Sequence, residues 1–319
     1  MRKMDSRQPE RTLQPKVTTV IVSHNGVHWI NDCIKSILES DYANLEVVLV
    51  DNASEDSTVN VASNWDKDIA IVPLNRNIGF GKAANVGIKC ALASNAEYVL
   101  VLNQDLRLAS GCVTNLVKAC VANNQIGVAC AYQFNYEGSR IDPSFGNVLK
   151  QLEANAEHLG KADNRQMSYE VESIVGACIL IRTEIIKLVG GFDPIYFMYH
   201  EEEDLVRRVR YHGFEVHVVP ESQVFHWHAH LHPKQMRLKV KMASTYGYYI
   251  FILKNPFNQL SENIREFIKK MTNWVRSGRD ANARCRRVLM GAFVVMVVVV
   301  LMSRIIRNRK KDMSKGLSI

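Results

Sequence analysis

Four consecutive carboxylates, Glu201, Glu202, Glu203 and Asp204, stand between the aromatic-rich run Phe197-Met198-Tyr199-His200 and a basic, half-apolar stretch ending at Phe214. Carboxylates grouped this way can start a helix, pair with cations or take a proton as a general base. Acids at a helix N-terminus gain from a few tenths to about 1 kcal/mol. Pairing accounts for two of the four. Glu203 precedes Arg207 by four residues and Asp204 precedes Arg208 by four, the acid-first order of a surface helix pair. Glu201 and Glu202 have Leu205 and Val206 at that spacing, so no local cation explains them. A carboxylate among like charges has its pKa raised, and a raised pKa makes a better base at neutral pH.

Other polar residues stand where apolar runs stop. Val17–Ser23 (VTTVIVS) reads as a buried strand ending in Ser23, His24 and Asn25, and Leu45–Val50 (LEVVLV) as a second that ends in Asp51 and Asn52. The runs IAIVPL and EYVLVLN are a third and a fourth, the fourth followed by Asn103, Gln104 and Asp105. Between them lie amphipathic helical patterns, one with Trp29, Cys33, Ile34, Ile37 and Leu38 on a single face and another from about Gly81 to Ser94. Alternating strands and helices, with continuously apolar strands, predict an α/β fold whose mostly parallel sheet is covered on both faces. In such sheets ligands bind beyond the C-terminal strand ends. Acids and amides at three of those ends therefore point to a polar ligand. GFGKAANVG (Gly79–Gly87) mimics a dinucleotide fingerprint but follows the third strand, whereas the fingerprint belongs after the first. A nicotinamide or flavin is not expected.

Three further strands, IGVACAYQF, GACILIR and FEVHVVPE, carry the sheet region to about His230, and two helical patterns split by Asn255-Pro256 come after it. The expected organisation is a polar N-terminal tail over 1–15, a sheet domain over 16–230, a helical region over 231–285 and an apolar, membrane-associating segment with a basic tail over 286–319. The tail lacks the apolar core of a signal peptide. Seven scattered cysteines without a CxxC pair fit a reducing compartment and buried thiols. The net charge of +8 is concentrated around Val288–Met302, with Arg284, Arg286 and Arg287 before that block and Arg304, Arg307, Arg309, Lys310 and Lys311 after it. Cations flanking a greasy segment suit an anionic membrane surface better than nucleic acid. The block spans about 22 Å as a helix, short of a hydrocarbon core of about 30 Å. Extension to Ile306 takes in Arg304, which can snorkel. A short membrane helix or an embedded anchor is expected, with a buried core helix as the rival.

In order, the motifs VIVSHNG, VLVDNASEDST, NRNIGFGKAANVG, VLNQDLRL, GGFDPIYFMYHEEEDLVRRVRYHGF and VFHWH resemble those of the family 2 glycosyltransferases of the GT-A fold, in the branch holding rhamnosyltransferases and bacterial polysaccharide glycosyltransferases. The likeness covers about Val17 to His230. It implies a Rossmann-like GT-A sheet and a metal-dependent inverting transfer from a nucleotide sugar. Asp51 would accept from the donor base. Ser23, Asn25, Asn52, Asn77, Gly79, Gly81 and Asn103 would border the donor. The NQD triplet stands where the family often has DxD, with Asn103 replacing the first acid and Asp105 left to hold Mg²⁺ or Mn²⁺. His226 matches a late histidine that completes the metal site in some relatives; a core or surface histidine is the other reading, and His228 is its neighbour and rival. Sliding the family pattern along the acidic run makes Glu202 the general base, with Glu201 and Asp204 as the neighbouring candidates.

The expected donor is dTDP-rhamnose, UDP-galactofuranose or another UDP-hexose. The expected acceptor is a glycan, free or lipid-linked, at the cytoplasmic face of a membrane. A non-catalytic sugar-binding or scaffold subunit that kept the fold is the alternative from another class.

Overall fold

The computed structural model describes residues 14–158, 167–227, 238–278 and 281–314. The polar tail up to residue 13, and His228, lie outside them. The chain order is β1 (Val17–Ser23), α1 (Ile30–Leu38), β2 (Leu45–Asp51), α2 (Thr58–Ala62), β3 (Ala70–Pro73), α3 (Phe80–Ala93), β4 (Tyr98–Asn103), β5 (Leu106–Leu108), α4 (Cys112–Ala122) and β6 (Ile126–Asn135). Then come α5 (Gly146–His158), β7 (Tyr169–Glu170), β8 (Cys178–Arg182), α6 (Thr183–Val189), α7 (Glu201–Tyr211), β9 (Glu215–His226), α8 (Leu238–Leu253), α9 (Leu260–Arg276) and α10 (Ala281–Asp312).

The described strands form one sheet in the order β3-β2-β1-β4-β8-β6-β9-β5, with β7 paired to β9. The first four run parallel, as the alternation of strands and helices predicts. β8 enters antiparallel between β4 and β6, and β5 and β7 are antiparallel to β9. The continuous apolar runs have a direct cause. Ile21, Leu49 and Leu100 face one core with α1 and α4, whereas Val20, Val48 and Val101 face the other with α3, α6 and α7. Successive side chains of a strand point to opposite faces, so a strand covered on both sides needs apolar residues along most of its length. Gly87 lets α3 press against β1, because a Cβ there would lie 2.2 Å from Val20 Cγ1.

A third apolar cluster joins Ile195 and Tyr196 to Tyr249, Ile250 and Leu253 of α8, Met271 of α9, and Val294, Val298 and Ile305 of α10. The break between α8 and α9 falls at Asn255-Pro256, and a reciprocal cap between Gln259 and Glu262 restarts the helix. The valine run favours strand by propensity, yet it lies within the 32-residue α10. Valine costs at most about 0.7 kcal/mol relative to alanine in a helix, less than a buried side chain gains by packing. All seven cysteines are free; five are buried, Cys90 is half-buried and Cys285 is exposed.

Candidate active site

The polar strand ends converge through their own hydrogen bonds. Gln104 ties the end of β4 to that of β1: its Oε1 accepts from Ser23 Oγ at 2.7 Å and from the His24 N–H at 2.9 Å, and its Nε2 donates to the His24 carbonyl. Asp51 is nearly enclosed, and its carboxylate accepts from the Ser54 hydroxyl and the Ser54 N–H. Asn25 takes a left-handed conformation (φ 52°) and links Ser54 and Glu55 to the β1 end. The Asn52 amide donates to Asn77 Oδ1 and its oxygen accepts from the Ile78 N–H. Asn77 Oδ1 also accepts from the Gly79 N–H. Gly79 has φ +90°, and a Cβ there would lie 2.1 Å from the Phe197 carbonyl oxygen. A glycine is needed at that turn on both counts. This turn delivers the first residues of α3, which lack a side-chain cap, to the same edge of the sheet.

Asp105 lies just beyond β4, its side chain 26% exposed. The antiparallel pairing of β5 with β9 sets Leu106 opposite His226 and so carries His226 alongside. His226 Nε2 is 3.5 Å from Asp105 Oδ1, and its Nδ1 is 3.4 Å from Asp142 Oδ2. Burial alone would lower the pKa of the imidazole; Asp105 and then Asp142 outweigh it and raise it to about 9. Asp142 is buried at the start of a short 3₁₀ turn, where its Oδ1 accepts from the Ser144 N–H and hydroxyl. A carboxylate behind one ring nitrogen, with the other nitrogen facing a ligand acid, is how metal-binding histidines are oriented. Asp105 offers a carboxylate oxygen of the kind that suits Mg²⁺ or Mn²⁺, and His226 an imidazole nitrogen beside it. They fit a divalent cation. Asp142, His226 and Trp227 wall a cleft of about 200 Å³, and Trp227 packs on Trp29 with ring centroids 4.4 Å apart. A larger cavity, of about 650 Å³, contains none of these residues.

The four acids separate by neighbour. The chain enters α7 through Tyr199 and His200, both at positive φ, a conformation costing about 1–3 kcal/mol per residue. The His200 ring stacks on Phe251, and its Nδ1 contacts Glu203. Glu203 therefore pairs with His200, in place of the expected Arg207. The Arg207 guanidinium lies over the Phe251 ring and donates to the Phe251 carbonyl. Glu201 is buried against the first turn of α3: a Cβ on Gly81 would lie 3.5 Å from Glu201 Cβ. Burial, then the charge of Glu202, raises its pKa to about 8. Glu202 is half-buried against Gly176, where a Cβ would lie 2.8 Å from Glu202 Cβ. The next residue, Ala177, accepts the Asn103 N–H at 3.0 Å. Glu202 thus adjoins the end of β4, and burial leads the causes that raise its pKa.

Asp204 is elsewhere. Its carboxylate is fully buried and accepts from Lys254 Nζ at 3.0 and 3.1 Å, Arg208 Nε at 2.9 Å, Arg207 at 3.3 Å and the Tyr196 hydroxyl at 3.1 Å. Burial opposes the charged form, but Lys254 and then Arg208 hold the carboxyl well below the usual range. Its pair with Arg208 is therefore interior instead of superficial, and with no open side it is removed from the base candidates. Asp193, Asp204 and Asp312 come close enough to suggest a metal site. The Lys254 ammonium already occupies that position, bonded to all three.

Sequence reasoning missed Asp142 and Lys254. Asp-Pro at 142–143 signals a turn, which is where Asp142 sits, but nothing local relates it to His226. Lys254 follows an apolar helix, and only its depth distinguishes it.

Residues 18–190 match the profile of Glycosyl transferase family 2. The chain is 29% identical, over 58% of its length and 67% of the relative's, to an N-acetylglucosaminyl-diphospho-decaprenol L-rhamnosyltransferase of Mycobacterium tuberculosis. It is 23% identical, over 67% and 70% of the two chains, to the dTDP-rhamnosyl transferase RfbF of Shigella flexneri. Among solved structures, its fold is similar to that of S. aureus TarS 1-349 in complex with UDP-GlcNAc (TM-score 0.59, 15% identity, 93% and 88% covered). The mannosyltransferase PcManGT from Pyrobaculum calidifontis, in complex with GDP-Man and Mn²⁺, is also similar (TM-score 0.54, 18% identity, 93% and 90% covered). The mixed sheet flanked by helices is of the GT-A type, and the match spans more than half the chain: this protein belongs to the family 2 glycosyltransferases.

Proposed function

We propose that the protein is an inverting, divalent-cation-dependent hexosyltransferase that moves rhamnose from dTDP-rhamnose, or a hexose from a UDP-sugar, to a lipid-linked glycan. One observation carries this reading: Asp105 with His226, and Glu202 against Gly176, stand at the same end of β4. The names of the rhamnosyltransferase relatives support the donor, and the diphospho-decaprenol in one of them supports the lipid-linked acceptor.

Asp105 and His226 would hold Mg²⁺ or Mn²⁺, with Asp142 fixing the imidazole. The cation supplies charge neutralisation for the departing nucleoside diphosphate. Asn52, Asn77, Gly79 and Gly81 shape the wall beside the donor, and Asp51, Asn25, Ser23 and Asn103 stand on the adjoining strand ends. Glu202 takes the proton of the acceptor hydroxyl. That oxygen bonds to the anomeric carbon as the bond to the diphosphate oxygen breaks, from the opposite side, which inverts the centre. Glu201, with a pKa near 8, stays protonated at neutral pH and spares Glu202 a second adjacent charge.

The exposed apolar face of α10 is the membrane contact in this reading, and the nucleotide-sugar donor is what supports the cytoplasmic side. Val294, Val298 and Ile305 are buried on its opposite face. That supports a helix lying on the bilayer over one crossing it.

The test is transfer and donor hydrolysis across a panel of nucleotide sugars, with and without Mn²⁺, for the native chain and Asp105→Ala. Metal-stimulated turnover of one donor, an inverted product anomer, and loss of both activities in a still folded Asp105→Ala are expected. Turnover unaffected by chelation, or near-normal in Asp105→Ala, sinks the metal assignment. Donor binding without any turnover would point to the non-catalytic subunit.

A further inference from the structure

The 650 Å³ cavity lies among α3, the loop Val189–Pro194 and the last turns of α10. Lys82 and Lys89 of α3 and Arg304, Arg307 and Lys311 of α10 line it. Two acids, Asp193 and Asp312, also line it, but both are committed elsewhere. Asp193 binds Lys254 and Asn308, and Asp312 binds Lys254 and faces Arg208. In that buried network three acids, Asp193, Asp204 and Asp312, balance Lys254, Arg207 and Arg208. The five cavity cations are a surplus. Among the described residues none of their side chains makes a hydrogen bond or ion pair. Lys82 is half-buried, and burial, then the charges of Arg304 and Arg76, lower its pKa. Five like charges around a cavity whose two acids are already engaged by Lys254 are a site for an anion.

The sequence of α10 identifies what carries the anion. Leu289, Met296, Val300, Arg304, Arg307 and Lys311 recur at spacings of three, four or seven, which is one helix face. Leu289, Met296 and Val300 are exposed. The opposite face, with Gly291, Val294, Val298, Ile305 and Asp312, is buried. A single stripe therefore changes from hydrocarbon to cation within one turn, between Val300 and Arg304. A soluble anion would satisfy the cations and leave the apolar stripe in water. An apolar protein partner would cover the stripe and leave the cations unmatched. A molecule with hydrocarbon chains and a phosphate at their end matches both.

We propose that this cavity is the headgroup site of an anionic membrane lipid. Its phosphate is held among Lys82, Lys89, Arg304, Arg307 and Lys311, and its chains lie along Leu289, Met296 and Val300. The proposal rests on the membrane reading given above. It also connects two sites through one helix: Lys82 directly follows the Gly79–Gly81 turn at the donor side, so a lipid seated here fixes α3 from its outer face.

Flotation of the full-length protein with vesicles tests it. Phosphatidylcholine alone is compared with phosphatidylcholine containing phosphatidylglycerol. The cavity variant carries Lys89→Gln, Arg307→Gln and Lys311→Gln, all exposed. The control carries the same charge change at exposed lysines outside the cavity, Lys67→Gln, Lys118→Gln and Lys187→Gln. Each membrane-facing cation contributes about fivefold in affinity, so the cavity variant should bind phosphatidylglycerol vesicles about a hundredfold more weakly. The control should stay close to the native chain. Equal losses in both variants mean diffuse surface charge and overturn the site. Native binding that the cavity variant retains overturns the headgroup site and leaves the membrane reading standing. A native chain that floats with neither vesicle overturns both. Inorganic pyrophosphate is the last arm: saturable binding by the native chain, lost in the cavity variant and accompanied by no flotation, would assign the cavity to a soluble phosphate.

Discussion

Two groups of acids in this molecule have similar membership and opposite meaning. Asp105 and Asp142 flank His226 at the sheet edge, and Asp105 keeps a quarter of its side chain open. Asp193, Asp204 and Asp312 meet between the sheet domain and the C-terminal helices, with Lys254 at their centre and Arg208 beside them. The first group flanks its histidine and leaves the Asp105 carboxylate partly facing solvent. The second is complete as it stands, because removing charges from water is tolerable only when they compensate one another. Proximity of carboxylates therefore says little about function; what already occupies the space between them decides it. The same contrast runs through the acidic quartet, where Asp204 belongs to the closed group and Glu202 adjoins the open one.

Substitutions should behave differently in the two groups. Glu202→Gln should reduce transfer about 10²–10⁴-fold with donor affinity and stability unchanged. Because burial and the charge of Glu203 raise the Glu202 pKa, activity should fall with decreasing pH at a pH above that of an ordinary glutamate. Glu203→Gln should move that limb to lower pH while retaining most of the turnover. A Glu202→Gln protein of near-native rate would place the base elsewhere.

Lys254→Ala attacks the closed group. It leaves three buried carboxylates without their shared ammonium and should cost about 3–5 kcal/mol in chemical denaturation. The activity of the molecules that remain folded should change far less. A Lys254→Ala protein as stable as the native chain would show that the cluster contributes nothing net to the docking of α8 and α10. Asp142→Asn probes the open group from behind. It should weaken activation by Mn²⁺ about 10–100-fold, with the lost rate recovered at saturating metal, as a titration of turnover against Mn²⁺ would record.

Glu201→Gln carries the smallest effect at pH 7, since Glu201 is then already protonated. Its consequence lies in the pH dependence of stability. The folded pKa of about 8 exceeds the ordinary 4.5, so the folded chain binds this proton more tightly than the unfolded chain does. The contribution of Glu201 to stability should therefore be fully present below about pH 4.5 and be lost as pH rises to about 8. Glu202 and Glu203 of the quartet, and the Tyr199 ring before it, are titratable groups that interact electrostatically with Glu201. Glu201→Gln should flatten that slope; melting curves across the window that stay parallel to the native chain would refute the assignment.

Much of the fold was legible before any coordinates. Strands covered on both faces are apolar along most of their length: Tyr98–Asn103 is so up to its last residue, and Val17–Ser23 departs only at Thr18, Thr19 and its terminal Ser23. Amides and acids at the strand ends marked the polar edge where Ser23, Gln104, Asn52 and Asn77 converge, because a polar residue terminating a buried strand has to find water, a turn or a ligand. The Gly79 turn was legible too, as a motif, although its reason is a contact with Phe197 more than a hundred residues away. The antiparallel insertion of β8 was not, since GACILIR is apolar in either direction.

The order and spacing of its motifs were enough to assign this chain to a family, to mark Asp105 and the acidic run, and to set an apolar helix among cations near its end. These are local properties, read within one strand or a few helical turns. The roles inside the acidic run were not local. A spacing rule judges a carboxylate by cations on its own helix, and it made Asp204 a surface pair. Folding brought Lys254 through from α8 and Asp312 from α10, and the low dielectric of the interior bound them to it. Asp142 reached His226 in the same way, across 84 positions of chain. Charge compensation in an interior depends on which long side chain arrives from another element, and no spacing along one element can contain that.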